Sequence, residues 1–370
     1  MPRDDLSAVY RLKVPPAMAA HRAQTLALEQ SVEMPAEAVT DLRVLDEVLA
    51  RVERIEPQAD GTSLAHLRLA CETVCEDAGQ LMNMLFGNCS LQPDVELVDI
   101  ELPPSLAQSF GGPNIGIDGL RRLTDVHGRP LTCSALKPIG STVDQLAGLC
   151  RTFAQAGIDI IKDDHGWANQ RSAPFAERVT ACQQAMREAN GASGRRAVYA
   201  PSLYGTQVQM QRQIELARTH GVGAVLIAPL ICGVATFNAL KREHPDLAFI
   251  AHPAFGGASR IAPSVLLGKL FRLFGADAVI FPNHGGRFTY PAEICQDIAR
   301  SNRAPWHGLR PTMPVPAGGM SVERVTEIKR EYGADTMLLI GGSLLIARER
   351  LAERSRAFVE AVAATDEVAA

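Results

Sequence analysis

The stretch LTCSALKPIGSTVDQLAGLCRTFAQAGIDIIKDDH, residues 131–165, decides the fold. It begins with an apolar run (131–136), continues with a segment whose apolar residues recur at helical spacing (143–157), and ends in a second apolar run (158–161). Apolar runs without strict alternation are typical of strands buried on both faces. A helix between two such runs is typical of parallel strands joined by a crossover. The stretch therefore predicts one strand–helix–strand unit of an α/β protein.

The same pattern recurs to the end of the chain, and it predicts an eight-stranded barrel. The eight apolar runs are residues 131–136, 158–161, 197–202, 223–228, 247–252, 276–282, 313–317 and 335–340. Eight strand–helix units in a segment of this length match the size and order of a (β/α)8 barrel. A doubly wound parallel sheet is the competing architecture.

Residues 1–120 follow a different pattern, which predicts a small α+β domain. Strands are predicted at 7–14, 49–55, 63–70 and 95–102, and helices at 17–31 and 72–86. This βαββαβ order is that of a ferredoxin-like domain. A break rich in proline and glycine at 103–113 then separates it from the barrel. We therefore predict a ferredoxin-like N-terminal domain over 1–120 and a (β/α)8 barrel over 121–370.

Composition and charge argue against several classes of protein. The 370 residues include 37 basic and 41 acidic ones, for a net charge of -4, and the basic residues form no stripe that would bind nucleic acid. The N-terminal segment lacks the apolar stretch of a signal peptide, and no apolar run is long enough to span a membrane. We expect a cytoplasmic protein with no nucleic-acid or membrane partner. The eight cysteines lack zinc-site or disulfide-framework spacing and are expected to be free thiols.

Reactive side chains follow several of the predicted barrel strands. In a (β/α)8 barrel, the loops after the carboxyl ends of the strands build the active site. The candidates are Lys137 after the first barrel strand; Lys162, Asp164 and His165 after the second; His252 after the fifth; and Asn283, His284 and Arg287 after the sixth. We interpret Asn283 and Arg287 as substrate contacts.

The lysines and histidines are candidates for proton transfer next to a carbonyl group. A lysine acts as a base only when it is neutral, and burial among other cations lowers its pKa toward neutrality. Lys137 is the first choice for this base and Lys162 the second, with His252 or His284 as a further acid–base residue. Each also has a structural alternative, such as an ion pair between Lys162 and Asp164.

Two further patterns predict a cation and a phosphate group. The run KDDH (162–165) could hold a divalent cation such as Mg²⁺ through Lys162, Asp164 and His165 if the lysine were carbamylated. The pairs Gly318-Gly319 and Gly341-Gly342 follow the last two strands, where barrels commonly bind phosphate through backbone N–H groups. We therefore expect a phosphorylated substrate. The structural alternative is that the two pairs only form tight turns.

The motifs themselves resemble those of the RuBisCO superfamily. They are ALKPIG (135–140), KDDH (162–165), AHPAFGG (251–257), PAGG (316–319) and IGG (340–342), in the family's order over nearly the whole chain. The resemblance implies a carbamylated Lys162 that binds Mg²⁺ with Asp164 and His165, a proton-transfer lysine at Lys137, a histidine at His252 and a phosphate on the glycine pairs. It also implies a homodimer in which Glu29 and Asn88 of the small domain help to close the partner's barrel mouth.

Departures from the family's carboxylases argue against CO₂ fixation. The carboxylases have glutamate at His165, lysine at Ile139, arginine at Pro253 and a further lysine within the loop at 284–295. The residues for enolisation are retained. The chain thus resembles RuBisCO-like proteins, and most closely those that isomerise 5-methylthioribulose 1-phosphate to 1-methylthioxylulose 5-phosphate in methionine salvage.

Three alternatives to this isomerase stay open at the level of sequence. The first is an enolase acting on 2,3-diketo-5-methylthiopentyl 1-phosphate, which would use the same residues. The second is a decarboxylase of a phosphorylated oxo-sugar acid, in which Arg287 would hold the carboxylate. The third is a binding protein whose barrel has lost its chemistry.

Overall fold

The computed structural model describes residues 4–286, 288 and 290–364, and these residues form twelve β-strands. The strands are β1 (Asp5–Leu12), β2 (Arg51–Pro57), β3 (Ser63–Ala70), β4 (Val95–Glu101), β5 (Leu131–Leu136), β6 (Ile160–Asp163), β7 (Val198–Ala200), β8 (Ala224–Ile227), β9 (Ala248–Ala251), β10 (Ala278–Pro282), β11 (Met313–Ala317) and β12 (Met337–Leu339). All eight predicted barrel strands are present, with ends shifted by a few residues.

Helices precede and follow most of these strands. The α-helices are α1 (Ala19–Glu29), α2 (Leu42–Glu47), α3 (Ala78–Phe86), α4 (Pro104–Phe110), α5 (Gly116–Thr124), α6 (Val143–Ala156), α7 (Phe175–Ser193), α8 (Gln207–Thr219), α9 (Pro229–Cys232), α10 (Val234–Glu243), α11 (Phe271–Phe274), α12 (Ala292–Arg303), α13 (Val325–Tyr332), α14 (Gly342–Leu345) and α15 (Leu351–Ala363). A π-helical segment, Ser264–Leu270, runs directly into α11.

The small domain is a four-stranded antiparallel sheet in the order β2-β3-β1-β4. Strand β1 alternates half-buried and buried residues, as expected for a sheet with one face packed on helices. The strand order and the βαββαβ connection confirm the predicted ferredoxin-like fold.

The second helix of this domain begins later than predicted. The sequence pattern predicts a helix over 72–86, whereas α3 begins at Ala78. Cys75 and Glu76 adopt left-handed backbone angles, with φ of 53° and 56°, which a right-handed helix cannot contain. Asp77 then caps the helix by accepting a hydrogen bond from the Gln80 backbone N–H at 2.7 Å.

The eight remaining strands form a parallel barrel. Two arcs, β12-β5-β6-β7 and β11-β10-β9-β8, are each hydrogen-bonded in parallel. A parallel bridge between Ser202 and Leu226 connects β7 to β8. On the other side, the Thr336 hydroxyl donates to the Pro314 carbonyl oxygen at 3.0 Å and connects the segment before β12 to β11. The closed ring confirms the predicted barrel over a doubly wound sheet.

The barrel interior is filled by side chains and closed at its lower end by α5. Every barrel strand contributes residues to one buried cluster, which also contains Ile117 and Leu120 of α5. The small domain is attached to its own barrel through β4: the Leu97 N–H donates to the Arg260 carbonyl oxygen at 2.9 Å, and the Ala262 N–H donates to the Leu97 carbonyl oxygen at 2.8 Å.

The state of the cysteines and the character of the helices were both predicted from the sequence. All eight cysteines are free thiols, as predicted from their spacing. Among the residues that the structure describes, no helix combines the length and apolar character needed to cross a membrane.

Candidate active site

The inward-facing positions of the barrel strands determine which side chains reach the mouth. Ile160 and Ile250 belong to the interior cluster of the barrel. Because alternate residues of a strand face the same side, Lys162 and His252 continue this inward register at the carboxyl ends of β6 and β9. Lys137 likewise continues the inward register of β5. The three side chains therefore stand above the packed interior, at the end where barrel active sites lie.

The ammonium group of Lys137 contacts the carboxylate of Asp164 across the ends of β5 and β6. The Lys137 side chain is 37% exposed and that of Asp164 13% exposed, so the pair lies at the edge of the solvent. Burial alone would raise the pKa of Asp164. Hydrogen bonds from His165 and Lys137, with the nearby charge of Lys162, outweigh burial and hold this pKa well below its usual range. Asp164 is therefore an ionised carboxylate.

Lys162 is the buried member of the cluster. Its side chain is 2% exposed, and its ammonium nitrogen donates to the Asp163 carbonyl oxygen at 3.0 Å. Burial lowers the pKa of Lys162, since the charged form loses its hydration. The neutral amine, which this environment favours, can act as a base or react with CO₂ to form a carbamate.

His252 is held in one tautomer by its own loop. The Ala254 backbone N–H donates to the His252 Nδ1 atom at 3.1 Å. A backbone N–H can only donate, so the proton of the neutral ring lies on Nε2. Burial, together with the charges of Lys162 and His165, lowers the pKa of His252 to about 2. His252 is therefore a neutral hydrogen-bond donor, and its ring stacks on that of His165 with centroids 4.0 Å apart.

A buried layer that the sequence analysis did not identify lies behind these residues. Asp163 points away from the barrel axis and accepts hydrogen bonds from Arg178 at 3.1 Å and Tyr199 at 2.8 Å. The Arg178 guanidinium lies over the Trp167 ring at 5.3 Å, and the indole N–H of Trp167 donates to the Leu136 carbonyl oxygen at 3.0 Å. Strand alternation was the available signal: Asp163 must face away from Lys162, and a buried carboxylate needs a cation.

The first glycine pair is in backbone contact with the loop after β10. Gly318 and Gly319 have φ of 78° and 68°, which favours glycine. A Cβ atom on Gly319 would lie 2.2 Å from the Gly286 Cα atom, and one on Gly286 would lie 2.4 Å from the Gly318 carbonyl oxygen. The two segments can approach this closely only because both are glycine.

The second glycine pair lies next to the candidate base. A Cβ atom on Gly341 would lie 3.8 Å from the Lys137 Cε atom. The Ser343 hydroxyl donates to the Met320 carbonyl oxygen at 2.7 Å and ties this segment to the first pair. Within the described part of the chain, the backbone N–H groups of both pairs make no hydrogen bond to a protein acceptor. They are therefore open to an anion.

The structure does not bring the predicted residues after β10 together with the lysines. The Asn283 side chain is fully buried, accepts a hydrogen bond from the Tyr332 hydroxyl at 2.6 Å and lies 3.6 Å from the Met320 sulfur. It packs β10 against α13, and the substrate contact predicted for it stays a prediction. Arg287 lies outside the described residues.

His284 is engaged by α13. Its Nε2 atom lies 2.7 Å from a Glu331 carboxylate oxygen and 3.8 Å from one of Glu327. These three side chains could hold a metal ion, since their ligand atoms lie within 4.8 Å of one another. The Arg324 guanidinium already donates to Glu327 at 2.8 Å, so one of the two carboxylates has a cationic partner in the chain itself. The acid–base role predicted for His284 stays a prediction.

The two residues predicted in the small domain lie together. The Asn88 amide donates to a Glu29 carboxylate oxygen at 2.9 Å, at the C-terminal end of α1. Asn88 is exposed, so this polar pair is available at the surface of the small domain.

The chain is similar to known proteins over nearly its whole length. Residues 116–346 match the family model described as the ribulose bisphosphate carboxylase large chain, catalytic domain. The chain is 52% identical to the 5-methylthioribulose-1-phosphate isomerase of Rhodospirillum rubrum, covering 97% of this chain and 96% of that protein. It is 31% identical to a 2,3-diketo-5-methylthiopentyl-1-phosphate enolase of Microcystis aeruginosa, covering 97% and 93%. The crystal structure of a RuBisCO-like protein from Rhodopseudomonas palustris is similar over 98% of this chain and 99% of that one, with 45% identity and a TM-score of 0.92.

Proposed function

Because the chain belongs to the ribulose bisphosphate carboxylase (RuBisCO) large-chain family, we propose that it is a RuBisCO-like isomerase of a phosphorylated ketose. The substrate we propose is 5-methylthioribulose 1-phosphate and the product 1-methylthioxylulose 5-phosphate, a step of methionine salvage. The reaction moves a carbonyl group by two carbons, which requires two successive enolisations. CO₂ fixation is not part of the proposal, since Ile139 and Pro253 stand where the carboxylases have cationic residues.

The observation that carries this proposal is the convergence of Lys137, Lys162, Asp164 and His252 at the barrel mouth. Lys137 is the base we propose, because its ammonium group reaches the solvent-facing side of the site while Lys162 is buried. In the free protein the Lys137 side chain contacts the Asp164 carboxylate, so this contact must open before Lys137 acts on the substrate. Lys162 is the second candidate.

Each enolisation needs a base and a group that stabilises the oxyanion. The base removes the proton from the carbon next to the ketone, and the electron pair moves onto the ketone oxygen to form an enediolate. The Nε2–H group of His252 can donate to that oxygen, since Nδ1 is already occupied. The hydroxyl proton of the neighbouring carbon then moves to the oxyanion, and return of the abstracted proton to the former carbonyl carbon moves the ketone by one position. A second round completes the isomerisation.

Mg²⁺ is the cofactor that the family implies, and the residues fit this ion when Lys162 is carbamylated. A hard cation prefers oxygen ligands, and only Asp164 supplies a carboxylate here. A carbamate on Lys162 would add oxygen ligands, and burial favours the neutral amine that reacts with CO₂. Lys162, Asp164 and His165 would then hold the ion. When bound, Mg²⁺ would polarise the ketone oxygen.

The substrate phosphate is assigned in this proposal to the two glycine pairs. Backbone N–H groups without protein acceptors are suited to phosphate oxygens. Because Gly341 lies close to Lys137, a phosphate bound to the second glycine pair would lie next to the base. A phosphate anchored there would hold the ketone in position during both proton transfers.

A homodimer is the assembly that we propose. Several exposed large apolar side chains of the described barrel lie on segments that follow its strands, among them Ile139, Val208, Ile231 and Phe288. On the small domain, Leu91 is 83% exposed and lies close in sequence to Asn88. Exposed apolar groups on both surfaces favour contact between the small domain of one copy and the barrel mouth of the next.

The domain boundary at residue 120 and a cytoplasmic location also stay predictions.

The enolase reaction is the second candidate, because relatives of 31% identity carry that name. It would use the same residues but stop after one proton transfer. The test is to incubate the purified protein with each substrate and identify the product by ¹H and ³¹P NMR. We expect 1-methylthioxylulose 5-phosphate from the first substrate. Turnover of the diketone alone would replace the isomerase by the enolase, and turnover of neither would contradict both.

A further inference from the structure

Phe255 combines an exposed ring with an unfavourable backbone conformation. Its side chain is 68% exposed, and its φ of 71° lies in the left-handed region. Bulky side chains rarely adopt this region, and such conformations are concentrated at functional sites. The structure thus holds a large aromatic side chain in the solvent at a cost in backbone energy.

The loop that carries Phe255 is the one that fixes the tautomer of His252. The Ala254 N–H donates to the His252 ring, the Gly256 N–H to the Pro253 carbonyl oxygen at 2.9 Å, and the Ala258 N–H to the Phe255 carbonyl oxygen at 3.1 Å. These bonds make a tight turn over 252–258. The turn keeps Phe255 within three residues of His252, the proposed hydrogen-bond donor to the oxyanion.

The chain's own packing does not account for the exposed ring. A Cβ atom on the neighbouring Gly256 would meet Leu266 at 3.5 Å and Leu230 at 4.0 Å, so the turn rests on an apolar floor. The Phe255 ring lies outside this contact, as its exposure shows. The ring is therefore available for contact with a molecule bound at the barrel mouth.

The position of the ring around the barrel indicates which part of the substrate it meets. In the closed ring of strands, β9 lies four strands from β5 and so faces it across the mouth. Lys137 and the neighbouring Gly341 stand on the β5 and β12 side. A ketose anchored there by its phosphate would extend its other end toward β9. In the substrate of the proposed function, that end is a methylthio group.

We propose that Phe255 is a specificity-determining residue whose ring packs against the methylthio group of the substrate. The inference rests on the proposed function and adds the recognition of the substrate's apolar end. A thioether sulfur makes favourable contacts with aromatic rings, whereas a hydroxyl group in its place gains nothing from an apolar surface. Pro253, in the same turn, adds a second apolar side chain.

The test compares two substrates that differ only at that end. We would measure kcat/KM for 5-methylthioribulose 1-phosphate and for ribulose 1-phosphate, which has a hydroxyl group instead, with wild type and Phe255→Ala. We expect the preference of the wild type for the methylthio substrate to fall about tenfold in the variant, with ribulose 1-phosphate little affected. Ile346→Ala is the matched control, since Ile346 is 80% exposed on the same face but follows β12. It should keep the wild-type preference.

The outcomes separate this inference from the proposed function. If the wild type does not turn over the methylthio substrate, the proposed function fails first. If the wild type is active and Phe255→Ala keeps the full preference, Phe255 does not recognise the methylthio group. If Phe255→Ala lowers turnover of both substrates equally and dissociates an oligomer in sedimentation velocity, the ring covers a second copy of the chain and the inference is overturned.

Discussion

The rings of His165 and His252 stack with centroids 4.0 Å apart and planes 12° apart, although they follow β6 and β9, which are not neighbours in the barrel. This contact joins the KDDH run to the turn that carries Phe255. It also places a neutral hydrogen-bond donor beside the Lys137–Asp164 pair.

Replacing the proposed base should abolish turnover and spare the fold. Lys137→Met should lower kcat by a factor of about 10²–10⁴, the usual contribution of a general base. Because Lys137 is 37% exposed, the melting temperature should change little. Lys13→Met is the matched control, since Lys13 forms only an exposed ion pair with Glu96 on the small domain. Wild-type turnover by the Lys137 variant would assign the base elsewhere.

Removing the carboxylate of Asp164 should remove any dependence on magnesium. Asp164→Asn leaves the shape of the side chain but not the charge that attracts a cation, so titration of activity with Mg²⁺ should become flat. Glu327→Gln is the control, because it alters the separate cluster around His284. A Mg²⁺ response that survives Asp164→Asn and disappears in Glu327→Gln would place the cation at α13.

Loss of the hydrogen bond between Trp167 and Leu136 should affect catalysis more than substrate binding. Trp167→Phe deletes the N–H that holds the end of β5, one residue before Lys137, and should cost about 1 kcal/mol of stability. We expect kcat to fall about tenfold with KM nearly unchanged, because the reacting groups lose their alignment. Trp306→Phe deletes a comparable bond to Glu101 at 2.9 Å, away from the site, and should leave kcat intact. Equal losses of kcat in both variants would point to a general effect on the fold.

A side chain at Gly319 should weaken the binding of the phosphorylated substrate. The added Cβ atom of Gly319→Ala would lie 2.2 Å from the Gly286 Cα atom, so the loop after β10 must move. We expect KM to rise at least about tenfold. Gly342→Ala keeps its backbone N–H and meets nothing within 4 Å, so KM should stay near the wild-type value. The reverse order of effects would remove the first glycine pair from the phosphate site.

The backbone strain at Phe255 predicts an unusual order of stability. Glycine normally destabilises a protein relative to alanine, but alanine at a φ of 71° retains the left-handed penalty of roughly 1–2 kcal/mol. Phe255→Gly should therefore melt above Phe255→Ala in a thermal scan. The opposite order would show that the turn relaxes when the Phe255 ring is removed, and that the backbone at this position is not strained.

The sequence allowed the barrel and the inward-facing residues to be predicted, because buried parallel strands have a distinct apolar pattern and their ends meet at one mouth. Lys137, Lys162 and His252 were identified in this way. The partners of Asn283 and His284 were not, since they depend on how α13 packs against β10. Arg178 and Trp167 were also missed, because the contacts that involve them are set by tertiary packing rather than by any local motif.

The most direct test of the proposed isomerase is the position of deuterium in its product. We would incubate the protein with 5-methylthioribulose 1-phosphate in D₂O, with and without Mg²⁺, and record ¹H NMR spectra. Two successive enolisations predict 1-methylthioxylulose 5-phosphate with deuterium at C3 and C4, and no such product with Lys137→Met. Absence of exchange under every condition, with a folded wild-type protein, would contradict the account.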